Sequence, residues 1–131
     1  MLLLLDTHIL LSLARGESGH FPPAIQDALH NQSNAIFAST VSLWEIAIKH
    51  RLGKLPLPYA LKNWPAALSA SAIALMDITV SHLLSEADPL PNTRDPFDRL
   101  LLAICHVEKL RLVTLDRLLL DHPLSLRPAS A

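Results

Sequence analysis

A single cysteine, Cys105, stands in the whole sequence, which excludes an intrachain disulfide and suits a reducing compartment. Its apolar neighbours give it a core-packing role. Three glycines are too few for a phosphate-cradling Walker loop or a dinucleotide fingerprint, so ATP and NAD binding lose their usual sequence support. Aromatic residues make up only 5 %, and aliphatic side chains must fill the interior. Neither sign of charge dominates: the formal net charge is -1, so a nucleic-acid partner would need a local basic patch. No stretch approaches the roughly 18 uninterrupted apolar residues of a membrane helix. The apolar start, Met1 to Leu5, carries no basic flank and stops at Asp6, so neither a signal peptide nor a membrane anchor is expected. A soluble, cytoplasmic protein is the expectation.

What is present is an alternation of strand and helix patterns. At 131 residues the chain suits one domain, 1–131, with a mainly parallel sheet of four to five strands and helices on both faces. Leu2 to Leu5 is a continuous apolar run, as in a central strand buried on both sides. Further strands are expected at 35–39, 74–78 and 111–114, with an added edge strand at 124–127. Helices are expected at 7–14, from Pro23 to about 32, at 40–51 ending at Gly53, at 81–87, from Asp95 to 109 and over 117–121. Prolines 56, 58 and 65 break the intervening segment into short helical pieces.

Four carboxylates draw interest by position. Asp6 and Asp116 each follow a strand, and open α/β sheets bind ligands beyond the carboxyl ends of their strands. The plainer reading of both is helix capping. Glu45 sits among Trp44, Ile46, Ala47 and Ile48, where a carboxylate must be solvated, paired or bound to a cation. Pairing with Lys49 on an exposed face is the ordinary alternative. In Asp95-Pro96-Phe97-Asp98, Asp95 is a natural N-cap and Pro96 suits the first helical position, leaving Asp98 free to face a crevice. Four acids at one end of a sheet would repel one another and call for a cation. Hard oxygen donors select Mg²⁺, or Mn²⁺ as a substitute, over zinc. Such an ion activates water and offsets charge on a phosphate.

The segments Leu4-Leu5-Asp6-Thr7-His8, Ser42-Leu43-Trp44-Glu45-Ile46-Ala47-Ile48-Lys49, Leu52-Gly53-Lys54-Leu55, Asp95-Pro96-Phe97-Asp98-Arg99-Leu100-Leu101 and Thr114-Leu115-Asp116 stand in that order. Together they resemble the PIN-domain family, most closely its VapC-type toxins of type II toxin–antitoxin pairs, from Leu2 to about His122. The resemblance implies a PIN-like three-layer sandwich and a Mg²⁺-dependent endoribonuclease neutralised by a cognate antitoxin. It places the catalytic and metal-binding acids at Asp6, Glu45, Asp98 and Asp116. It also assigns supporting roles around the ligands to the hydroxyls of Thr7 and Thr114, with Asp95 adding to the site. Two positions depart from the pattern: relatives often carry histidine where Thr93 stands and glutamine where Ile104 stands.

Arg99, Lys49 and Arg94 are the candidate contacts to RNA phosphates, although basic residues also favour helix ends and Lys49 can pair with Glu45. The seven histidines show no ligand spacing, and His8 reads as a helix-face residue. Leu61, Trp64 and Leu68 suggest apolar surface for a homodimer, with core packing as the alternative. The other functional class open to the sequence is a non-catalytic binding module of the same fold, holding RNA or a protein partner without cutting it.

Overall fold

The structure is a computed structural model and describes residues 1–127. The last four residues of the expected domain 1–131 therefore lie outside the described part. Four strands, β1 (Leu2–Leu5), β2 (Ala35–Ser39), β3 (Ile73–Met76) and β4 (Arg111–Val113), form one parallel sheet in the order β3-β2-β1-β4. Leu3, Leu4 and Leu5 are fully buried, as the apolar run of a central strand requires. Side chains alternate across the pleat. Leu3 and Leu5 enter one core cluster with Ile9, Leu10, Ile25, Trp64 and Leu68, while Leu4 enters another with Leu101, Leu102, Ile104, Cys105 and Leu112. Helices thus cover both faces, giving the expected three-layer α/β sandwich.

Helices α1 (Thr7–Ala14), α2 (Pro23–His30) and α4 (Trp64–Ala70) contribute to the first cluster, and α6 (Pro96–Glu108) with α7 (Arg117–Leu120) to the second. Helix α3 (Thr40–Arg51) serves both, through Ile46 in the first and Val41 in the second. Its end follows the expected chemistry: Gly53 adopts φ 73°, a conformation that costs other residues strain. The chain builds outward from β1 to β2 and β3, then returns through α5 (Val80–Leu84) and α6 to place β4 on the other side of β1. That reversal between β1 and β4 is the crevice where such sheets hold ligands.

Two expectations about elements change. The helix expected over 81–87 is α5, which ends at Leu84 because Ser85 is already extended (φ -99°, ψ 156°). Residues 124–127 add no full strand. A single parallel bridge, Leu112 to Ser125, lies beside β4, held by bonds of 2.8 Å from Leu112 N to Leu124 O and from Leu126 N to Leu112 O. The expected surface role of Leu61, Trp64 and Leu68 is also corrected. Trp64 and Leu68 are core residues and Leu61 packs against them, because α4 turns its apolar side to the sheet. Among the described residues no helix is long and apolar enough to cross a membrane.

Candidate active site

Asp6, Asp95, Asp98 and Asp116 reach the crevice from strand-to-helix junctions or a helix start, and Glu45 from the middle of α3. Asp6 ends β1, and its N–H donates to Val113 O at 2.9 Å, tying it across to β4. Its Oδ1 caps α1 by accepting the Thr7 N–H at 2.7 Å. Asp116 follows β4 and caps α7 through the Leu118 N–H at 2.9 Å. Asp95 caps α6, accepting the N–H of Phe97 at 2.8 Å and of Asp98 at 3.4 Å. Trp44 on α3 and Phe97 on α6 meet edge-to-face with ring centres 5.7 Å apart. The next residue of each helix is an acid, Glu45 and Asp98.

These residues converge. One cavity of about 210 Å³ is lined by Asp6, Glu45, Asp95, Asp98 and Asp116, with Thr7, His8 and Lys49 on its walls. Capping and facing the cavity are therefore not alternatives for Asp6, Asp95 and Asp116, because a carboxylate has two oxygens and can serve both. Glu45 is only 6 % exposed, so it does not occupy the open helix face that ordinary pairing would suggest. It does pair with Lys49, at 2.6 Å.

The crowding shows in the titration of the acids. Burial and the charges of Asp6, Asp95, Asp116 and Glu45 push Asp98 up to about 7. Asp6 moves the other way. Burial acts to raise it, but hydrogen bonds from His8, Thr114 and the Thr7 N–H, together with the His8 charge, hold it below the usual carboxylate value. The Thr114 hydroxyl donates to Asp6 Oδ2 at 2.7 Å and accepts the Asp116 N–H at 3.0 Å, linking two acids through one side chain. For Lys49, the hydrogen bond to Glu45 raises the pKa against the effect of burial, and the charges of Glu45, Asp95 and Asp98 add to the rise.

His8 is the site residue that spacing missed. Its Nδ1 lies 3.3 Å from Asp6 Oδ2, and its Nε2 accepts the Leu115 N–H at 3.0 Å. Burial acts to lower its pKa, and the Asp6 hydrogen bond with the charges of Asp6, Asp116 and Asp98 raises it. Protonating Nε2 would forfeit the Leu115 bond, which opposes that rise and keeps the proton on Nδ1, toward Asp6. Position i+2 from an acid on a helix start was the only sequence signal for this contact, and it is a weak one.

The remaining candidates separate. Thr7 gives only its backbone N–H to an acid; its hydroxyl donates to Ser42 Oγ at 2.9 Å and joins α1 to α3. Thr93, standing where relatives often have histidine, is buried, donates to Asp98 Oδ2 at 3.4 Å and accepts the Asp95 N–H at 3.1 Å. Ile104 is a fully buried core residue. Arg99 pairs with Glu86 at 3.1 Å and lines a different cavity, between α5 and α6, so it does not stand in the acidic cleft. Arg94 is exposed beside Asp95.

The donor set suits a hard divalent cation in kind and in charge. All donors are oxygens, and the elevated Asp98 shows an excess of negative charge that a cation would relieve. Among the described residues, no three His, Cys, Asp or Glu side chains already stand at coordinating geometry. Three of the carboxylates are turned to helix N–H groups and a fourth to Lys49. A sequence model of the PIN domain matches residues 3–122, nearly the whole chain. No curated protein and no solved structure matches it.

Proposed function

The chain belongs to the PIN-domain family, whose members are generally nucleases, and from that premise we propose that it is a metal-dependent endoribonuclease. In this reading it hydrolyses RNA phosphodiester bonds in the cytoplasm as the toxin of a type II toxin–antitoxin pair. The observation that carries it is the gathering of Asp6, Glu45, Asp98 and Asp116, with Asp95, around one cavity from four separate places in the chain. These acids would hold Mg²⁺, or Mn²⁺ in its place, which when bound supplies an activated water and offsets charge on the phosphate.

The chain's own residues do the rest. Thr114 holds Asp6 and the Asp116 backbone in register. Asp6, with its depressed pKa, is an anion at neutral pH. Asp98 would have to stand deprotonated to serve as a ligand, since ligands must be deprotonated to bind. Lys49 is the cation already on the cavity wall, able to meet a phosphate once Glu45 turns to the ion. A cognate antitoxin would offer an amphipathic segment and a second copy of the chain a matching face. Apolar surface for such contacts exists on α5, where Val80 and Leu84 are 71 % and 82 % exposed.

The test is cleavage of tRNA, rRNA and mRNA pools by the purified protein with Mg²⁺, Mn²⁺ or EDTA. The expected result is cutting that needs the ion and disappears in Asp6→Asn and Asp98→Asn while both variants stay folded. Cutting that persists in EDTA, or in those variants, overturns the assignment. The non-catalytic module has one observation of its own, the Lys49–Glu45 pair that already neutralises an acid. RNA bound tightly and left intact in Mg²⁺ and Mn²⁺ would establish that reading instead.

A further inference from the structure

Another hollow, of about 180 Å³, lies between the loop 89–92 and α7. Pro89, Leu90 and Asn92 form one wall; Arg117, Leu118 and Asp121 form the other. His122 joins the walls. Its Nδ1 accepts the Leu124 N–H at 3.1 Å, so Nε2 carries the proton and donates to Pro89 O at 2.7 Å. The hollow is thus preformed. It also adjoins the acidic cleft on both sides: Asn92 precedes Thr93, which bonds Asp98, and Arg117 follows Asp116. Consecutive residues are about 3.8 Å apart along the chain, so both walls of the hollow continue directly into the segments that carry the cleft's acids.

The lining has the chemistry of a nucleobase site. Leu90 and Leu118 are more than half exposed and present apolar faces against which a flat ring can rest. Among the described residues, Arg117 and Asp121 make no ion pair, and the Asn92 amide makes no hydrogen bond. A guanidinium plane stacks on bases, an amide offers a donor beside an acceptor, and a carboxylate accepts from an exocyclic amine. We propose that this hollow receives one unstacked base of the RNA strand next to the phosphate held at the acidic cleft, and that it selects adenine and cytosine over guanine and uracil. Asp121 supplies the selection: it accepts from the 6-amine of adenine or the 4-amine of cytosine and repels the carbonyl oxygen that guanine or uracil carries at that position. The inference rests on the nuclease reading above and names its substrate preference.

The experiment is end-mapped cleavage of a random-sequence RNA in Mg²⁺ by the wild type, Asp121→Asn, Asn92→Ala and Arg117→Ala. All three side chains are exposed, and unchanged circular dichroism and melting confirm the fold of each variant. In the wild type, one position beside the cut should favour adenine and cytosine over guanine and uracil about tenfold. Asp121→Asn, whose amide can donate to a carbonyl, should bring that ratio close to one. Asn92→Ala should weaken the preference, and Arg117→Ala should raise KM several-fold with kcat kept. A wild type that cuts without base preference, or variants that keep the wild-type pattern and KM, overturns the inference while leaving the nuclease reading intact. RNA left uncut by the wild type removes both.

Discussion

Replacing Asp98 by asparagine should stabilise the metal-free protein while abolishing its activity. Its carboxyl titrates at about 7 in the folded chain against an ordinary 3.8, owing to burial and to four neighbouring acids. A raised carboxyl means that the folded state binds more protons than the unfolded one between these values. Stability is therefore unaffected below about pH 4, falls as pH rises, and reaches its full loss above about 7. At 1.36 kcal/mol per pH unit the interval corresponds to at most about 4 kcal/mol. Asp98 is half-buried, and solvent screening reduces this to about 1–2 kcal/mol. Asparagine keeps the shape and an acceptor for the Thr93 hydroxyl but carries no charge. For a chain of this length the gain amounts to about 3–10 °C in Tm. Thermal unfolding of both proteins in EDTA at pH 4.5 and pH 8 reads it: nearly equal Tm at the lower pH, the variant higher at pH 8. Added Mg²⁺ should raise the wild type at pH 8 and leave the variant almost unmoved. A variant less stable than the wild type at pH 8, or a gap independent of pH, would refute the charge-crowding argument.

Three further outcomes follow from single contacts. Thr114→Val removes a donor to Asp6 and an acceptor for the Asp116 N–H, and should cost about 1–3 kcal/mol of stability in urea titration and lower kcat more than it raises KM. Lys49→Met leaves Glu45 buried without its partner, so the protein should lose about 1 kcal/mol or more in EDTA at pH 8 and recover a larger share on adding Mg²⁺ than the wild type gains. Equal Mg²⁺ responses would detach Glu45 from the ion. Ser42→Ala frees the Thr7 hydroxyl in a buried place and should destabilise by about 1–2 kcal/mol in the same titration.

Much of the frame was legible in the order of residues. The run Leu2–Leu5 could only be a strand buried on both faces, and β1, α1, β2 and α3 begin and end where pattern and caps placed them. Asp95 caps and Asp98 faces the cleft because Pro96 sets the register of the helix start. The segment after β4 was harder. An edge strand was expected at 124–127, but the turn at His122 leaves a single bridge to Leu112.

Local pattern gives the period of an element and the residues at its ends, since both depend on neighbours a few positions away. It therefore determined the α/β class, the strand-to-helix junctions and the presence of acids at them. Which way a side chain turns depends on what stands across the gap, and only the tertiary structure decided that. It sent Trp64 and Leu68 into the core, gave the Thr7 hydroxyl to Ser42, and aimed Arg99 at Glu86 and away from the acids. It brought His8 against Leu115, most of the chain away, while its other ring nitrogen faces the nearby Asp6. By setting β4 beside β1, it also placed Asp116 next to Asp6, so that repulsion among acids distant in sequence became a property of one cavity.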